Sequence, residues 1–308
     1  MAALHHDRVV SDLPAGFDEL VPPSDPRATW ELPARGRMPV TSGLEPLVSR
    51  ILAPNASGMT LDGTNSYLVG QPGSGQAVLV DPGPDESEHL DRVTAALAAR
   101  GARCVAILVT HHHWDHAAAA LPWGAHFQAQ VAAADPAVAG PGGRTLQPGE
   151  KLQLAGTTIE VVPTPGHCGD HLAFRIESGA VLVGDHVLGR GTSVVTYPEG
   201  DVMAYLESLR RVHDLGPSAL YPGHGPELTE NPMAVLDFYL AQRAFREWQI
   251  LTLLSDAAQS IPALVEVIYA DLARTLWPAA EQSTRATLAK LETQGRVHIT
   301  GDTVWLVG

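Results

Sequence analysis

A chain of 308 residues is long enough for one large core, or for a core domain with a smaller one beside it. With 45% hydrophobic and 18% charged residues, its composition is that of a folded globular protein and excludes a disordered one. A formal charge of −14 argues against loose, salt-driven attachment to nucleic acid or an anionic membrane, although it leaves room for a local basic groove.

From the N-terminus, the chain has no apolar segment of signal-peptide type and no run long enough to cross a bilayer, so the cytoplasm is the expected compartment. Two cysteines, Cys104 and Cys168, are too few for a disulfide framework. Residues 1–45 read as a Pro-rich arm without periodicity. Strands are expected at Leu47–Leu52, Thr64–Val69 and Ala77–Asp81, the last broken by Pro82-Gly83. Asp85 and Glu88 have the spacing of an N-cap pair for a helix over 86–99, and Cys104–Val109 reads as a buried strand. A further strand is expected around His126–Val131. Alternation over Leu152–Val162, His171–Ile176 and Val181–Val183 points to hairpin-rich sheet. A helix over 201–213 and a strand over 218–221 follow. Two strand-rich halves with intervening helices imply an α/β architecture, an αββα sandwich over 46–232. From 233 to 308 the pattern changes to three helical segments, at 233–255, 259–271 and 279–293, then a hairpin of Val297–Thr300 and Val304–Val307.

The strongest chemical signal is Thr110-His111-His112-His113-Trp114-Asp115-His116, directly after a buried strand. Imidazole and carboxylate donors in this mixture suit zinc or a neighbouring transition ion, and a set without thiolate does not select zinc uniquely. Three later motifs share the placement at a strand end: Thr164-Pro165-Gly166-His167, Gly184-Asp185-His186 and Tyr221-Pro222-Gly223-His224-Gly225. One such histidine is ordinarily a turn residue. Four strand-end sites separated in sequence imply a common centre.

These residues resemble the pattern of the metallo-β-lactamase-fold superfamily: H-x-H-x-D-H, a later Gly-His, a later Asp and a final Gly-His. Carried over residue by residue, the resemblance places His111, His113 and His167 on one metal ion and Asp115, His116 and His224 on a second. Asp185 bridges both. It implies two divalent ions, zinc first with manganese or iron as alternatives, and a bridging hydroxide that attacks the substrate. Asp115 is the catalytic candidate, both ligand and proton acceptor. The segments 59–65, 164–171, 188–192 and 246–250 narrow the resemblance to the lactamase-β-2-like branch, which implies a small winged-helix-like α+β domain over 233–308. Cys168 departs from the Thr or Ser often found after this His; it is either an inert near-site residue or a soft extra ligand.

Around this set, Asp81 is a candidate for holding a ligand histidine in its tautomer, or else a turn-forming residue before Pro82. Asn65 is expected to face the mouth of the site. His171 adds a hydrogen bond, contacts substrate or is structural, His186 supports a ligand from behind or is structural, His112 is not a ligand, and Trp114 is a packing or cleft-wall residue. His5, His6, His89, His126, His213 and His298 receive no role.

The expected function is hydrolysis of a small-molecule ester, thioester or amide-like substrate. The branch also contains single-strand-specific endoribonucleases, which makes single-stranded RNA the alternative substrate. Residues 240–308 carry six Arg/Lys against seven Asp/Glu, whereas a nucleic-acid-gripping winged helix needs a basic face. A non-enzymatic metal-containing scaffold is the third reading, with the apolar faces of the C-terminal helices pairing a homodimer.

Overall fold

The computed structural model describes residues 21–255 and 257–307. A seven-stranded sheet is laid down in sequence order by β1 (Thr41–Glu45), β2 (Val48–Leu52), β3 (Asn65–Val69), β4 (Gln76–Val80), β5 (Arg103–Leu108), β6 (Gln130–Ala133) and β7 (Arg144–Thr145). Helices α1 (Ser87–Ala99), α2 (Trp114–Ala117), α3 (Ala120–Phe127) and α4 (Pro136–Ala139) lie between the strands from β4 onward, where the pairing is parallel. A five-stranded sheet follows, in the order β12-β11-β10-β9-β8, from β8 (Lys151–Leu154), β9 (Thr157–Pro163), β10 (Leu172–Ile176), β11 (Val181–Gly184) and β12 (Leu220–Pro222). Helix α5 (Val202–Asp214) makes the crossover between its two parallel strands, β11 and β12.

Strand periodicity sorts the side chains into layers. Val78, Val80, Leu108, Phe174 and Leu182 point between the sheets. Leu79 and Ile107 point outward and meet Val93 and Leu97 of α1 and Trp123 of α3. Val181 and Val183 on the opposite outer face meet Tyr205 and Leu209 of α5. The result is the expected αββα sandwich.

Three helices follow the sandwich, α6 (Pro232–Leu253), α7 (Ile261–Ile268) and α8 (Trp277–Thr293). A three-stranded sheet of β13 (Gln259–Ser260), β14 (Val297–Thr300) and β15 (Thr303–Leu306) completes a winged-helix domain. Its core, Ile250, Leu264, Leu288, Leu291 and Val304, is separate from that of the sandwich. Helix α6 joins the two, because Leu236 and Tyr239 pack against α5 while Ile250 belongs to the C-terminal core. No helix among the described residues is long and apolar enough to cross a membrane.

The structure departs from the sequence reading in three places. The stretch before residue 46 is not a loose arm throughout, although residues 1–20 lie outside the described part. Arg27 in a single-turn helix is buried against the sandwich, and Thr41–Glu45 forms the edge strand β1. Asp85 does not cap α1; it accepts a 3.0 Å hydrogen bond from the indole N–H of Trp123, a buried donor that needs a partner. His126 lies in α3, which covers the outer face of the sheet with Ala120 and Trp123, so the next strand starts only at Gln130.

His89 is buried on the inner face of α1, its Nε2 2.8 Å from Ser66 Oγ, beneath Gly83, where a side chain would crowd the ring. Burial, helped by the Arg92 guanidinium, pushes His89 down to about 4. The unfolded chain takes up this proton at higher pH than the folded protein does. The stability linked to His89 is therefore complete above roughly pH 6.5 and drains away as the pH falls toward the folded value. We predict that His89→Asn has a shallower acid limb, with an acid-dependent loss smaller by on the order of 3 kcal/mol. Thermal melts of both proteins across this pH range check it, and superimposable acid limbs would contradict it.

Candidate metal centre

The loops that leave β4, β5, β9, β11 and β12 come together at one edge of the sandwich. Backbone hydrogen bonds stitch them to each other: Leu172 N–H donates to Thr110 O at 2.7 Å, Asn65 N–H to Gly223 O at 2.7 Å, and Gly223 N–H to Gly184 O at 2.8 Å. Gly223 is required here, because a Cβ would lie 2.6 Å from both Asp185 Oδ1 and His116 Cε1. The seven residues singled out by the motif, His111, His113, Asp115, His116, His167, Asp185 and His224, are all brought to this edge.

Four of the five rings are fixed from behind. Thr110 Oγ1 donates to Asp81 Oδ2 at 2.8 Å and so accepts from His111 Nδ1 at 2.9 Å. His116 Nδ1 donates to Asp81 Oδ2 at 2.9 Å, His167 Nδ1 to Val194 O at 2.6 Å, and His224 Nδ1 to Gly63 O at 3.2 Å. Each bond leaves the lone pair of Nε2 facing the centre. His113 presents Nδ1 instead, 3.0 Å from Nε2 of both His111 and His167. On the other side, His224 Nε2 lies 3.2 Å from His116 Nε2, 3.2 Å from Asp115 Oδ2 and 3.4 Å from Asp185 Oδ2. Lone pairs aimed at one another across such distances repel unless a cation or a proton sits between them.

The charge balance differs across the centre. Burial pushes His111 well below its ordinary value and His167 down to about 4, so their rings are neutral, as metal binding requires. Burial also lowers His116 and His224, but Asp185 overrides it, holding His116 well above its ordinary value and His224 up to about 9. Burial raises Asp185, yet the facing His224 and His116 keep it well below the usual carboxylate range. Asp185 Oδ1 is buried, lies 3.4 Å from His116 Nε2 and has no hydrogen-bond partner among the described residues.

The donor set fits a metal pair. Ligands at about 2.1 Å around a tetrahedral ion stand roughly 3.4 Å apart, close to the 3.0–3.4 Å between the facing donor atoms here. His111, His113 and His167 form one convergent group, Asp115, His116 and His224 a second, and Asp185 reaches toward both.

The surrounding residues sort less evenly. Asp81, 2% exposed and at φ 51°, accepts from Thr110 N–H at 2.7 Å as well as from Thr110 Oγ1 and His116. It both shapes the turn and orients the ring. Asn65 does not face the mouth. It is fully buried, and its amide donates to Pro222 O and Gly225 O, which ties down the loop on either side of His224. His171 is likewise buried, bonded through Nδ1 to Thr164 Oγ1 and accepting the Asp185 N–H at Nε2, so it sets the position of Asp185. His186 is enclosed against Tyr205. Cys168 lies within reach of the His111 group, but its thiol donates to Asp170 and burial pushes it up. His112 turns away to Asp170 and Glu199, both at 2.8 Å, and Trp114 is exposed. Glu199, 3.8 Å from His113 Nε2, carries no motif and has no counterpart in the sequence reading.

Residues 59–224 match the metallo-beta-lactamase superfamily and residues 260–305 the beta-lactamase associated winged helix domain. The chain belongs to the metallo-beta-lactamase superfamily and is a metal-binding hydrolase of that class. It is 30% identical to a beta-lactamase-like protein 2 homolog of Drosophila melanogaster, over 85% of this chain and 93% of the relative. It is 34% identical to the atrochrysone carboxyl ACP thioesterase of Aspergillus chevalieri, over 72% and 70% respectively. The fold matches a metallo-beta-lactamase family protein of Thermus thermophilus with a TM-score of 0.72 at 23% identity, over 86% of this chain and 100% of that one.

Removing Asp81 strands three buried donors at once. We expect Asp81→Ala to lose about 3 kcal/mol or more of folding stability. Asp81→Asn, which tolerates the left-handed backbone, should also be destabilised, because its amide N–H₂ faces groups that are themselves donors. Urea denaturation without added metal measures both, and an Asp81→Ala midpoint equal to that of the unaltered protein would sink the assignment.

Proposed function

We propose that the protein is a thioesterase that works with two divalent metal ions, zinc first with manganese or iron as alternatives. The carrying observation is the pair of convergent ligand groups with Asp185 between them. His111, His113 and His167 would hold one ion, Asp115, His116 and His224 the other, and Asp185 both. Bound there, the ions supply Lewis acidity and bring water within reach of ionisation near neutral pH.

The protein groups carry the rest. Asp115, partly open to solvent and 3.2 Å from His224, is placed to take a proton from the attacking water. The water oxygen forms the new C–O bond, the C–S bond breaks, and the sulfur leaves as a thiol once protonated. His171 and Asp81 act on the position of Asp185 and His116 and do not touch substrate. Thioesters are favoured over other acyl substrates by the relatives named thioesterases, at 34% identity over 223 and 232 residues.

Purified protein loaded with zinc, manganese or iron should retain close to two ions per chain and release thiol from acyl thioesters. Asp115→Ala and Asp185→Ala should lower that turnover at least about a hundredfold, and Asp185→Ala should also reduce the bound metal. Cleavage of a fluorogenic single-stranded RNA that depends on Asp115, with thioesters untouched, would replace this reading with that of a nuclease.

A further inference from the structure

Where residues 58–61, the strip 188–194 and the C-terminal helices meet, the structure encloses a cavity of about 270 Å³. Its body is apolar, walled by Met59, Leu61, Leu188, Val194, Leu272 and Leu276. Among the described residues its charges are all of one sign: Arg35, Arg190, Arg243 and Arg246 line it and no carboxylate does, in a chain whose acidic residues outnumber its basic ones 34 to 20. A small, largely apolar cavity whose charged lining is all guanidinium has the chemistry of a site for an acyl chain that ends in an anion.

The arginines are not equivalent. Arg243 donates to Ser193 O and stacks over Tyr205, while Arg246 donates to Ile268 O and Gln249 and stacks over Tyr269. Arg35 is exposed. Arg190 differs from all three, because its Nε and Nη2 are buried and have no hydrogen-bond partner among the described residues. Burying two guanidinium donors unpaired costs free energy that a bidentate carboxylate would recover.

Three of the carbonyls that flank Arg190 along the chain already accept from other arginines. Arg27 donates to Leu188 O and Gly191 O, and Arg243 holds Ser193 O. The same strip touches the ligand cluster, since Gly189 N–H donates to His224 O, Ser193 Oγ to Asp185 O, and Val194 O accepts from His167. One wall of the cavity is therefore the back of the catalytic edge.

We propose that this cavity receives the acyl part of the substrate and that Arg190 selects chains ending in a carboxylate; the turnover arm of the test rests on the thioesterase reading. Glutaryl and pentanoyl thioesters of N-acetylcysteamine, a carrier without phosphate, compare chains of equal length with and without the charge. The glutaryl ester should be preferred about ten- to a hundredfold in kcat/KM, mainly through KM. Arg190→Met should erase most of that preference, and Arg190→Lys, which keeps the charge but not the fork, should retain part of it. The non-hydrolysable thioether analogues, titrated calorimetrically, test the site without turnover: wild-type protein should bind the carboxylate-bearing analogue more tightly, and Arg190→Met should not. Equal binding of the two thioethers overturns the proposal even where thioesters are hydrolysed. A binding difference without thioester turnover upholds the carboxylate site and sinks the thioesterase reading. A preference seen only with coenzyme A thioesters, whatever the acyl chain, would assign the arginines to phosphate and overturn the proposal.

Discussion

Five imidazole nitrogens and two carboxylates stand a few ångströms apart in this site, and four of the five rings are held in place from their far side. Here that support is a set of oxygens: Asp81, Thr110 Oγ1 and the carbonyls of Gly63 and Val194. None of them faces the centre, yet together they decide which nitrogen of His111, His116, His167 and His224 does. The sandwich supplies these oxygens because strands from both sheets end at the same edge. Asp81 is the clearest case, a carboxylate at the end of one parallel strand that orders the loop leaving the next.

The electrostatics follow from that arrangement. Burial keeps the rings of His111 and His167 neutral, while Asp185 and Asp81 hold positive charge on the side of His116. Cation binding displaces protons from that side, which couples metal affinity to pH and ties the folding free energy of the edge to metal. Asp185 has the strongest claim to the middle position, since one of its oxygens has no hydrogen-bond partner among the described residues and its backbone N–H is held by His171.

Much of this was legible in the sequence for a physical reason. Strand ends followed by Gly-His or His-x-His announce themselves because the sheet imposes buried apolar runs and the loop imposes glycine. The sandwich and the convergence of four strand-end loops could be read that way, while the winged helix and the full set of seven residues came from the family resemblance. The parts that escaped are set by tertiary partners. Asp85 has the spacing of a cap but is claimed by Trp123, and Asn65 has the look of a mouth residue but is used to hold the loop around His224. Arg27 sits in a stretch with no periodicity, and its burial depends on carbonyls 161 and 164 residues away. Glu199 carries no motif, and Arg190 lies in a segment that carries the resemblance but announces no role of its own; only folding puts one beside His113 and leaves the other's Nε and Nη2 without a partner among the described residues.

The strip from Leu188 to Val194 is held by two parts of the chain that are far apart in sequence. Arg27 grips it from the N-terminal segment, while Tyr239 and Arg243 grip it from α6. The shape of the substrate wall is therefore not a local property of the loop that forms it. Substitutions at the start of the chain or along α6 can retune which molecules fit while leaving every metal-facing side chain in place. In such a scaffold, chemistry and selectivity are inherited on separate stretches of sequence, and lineages can exchange substrates without rebuilding the reaction.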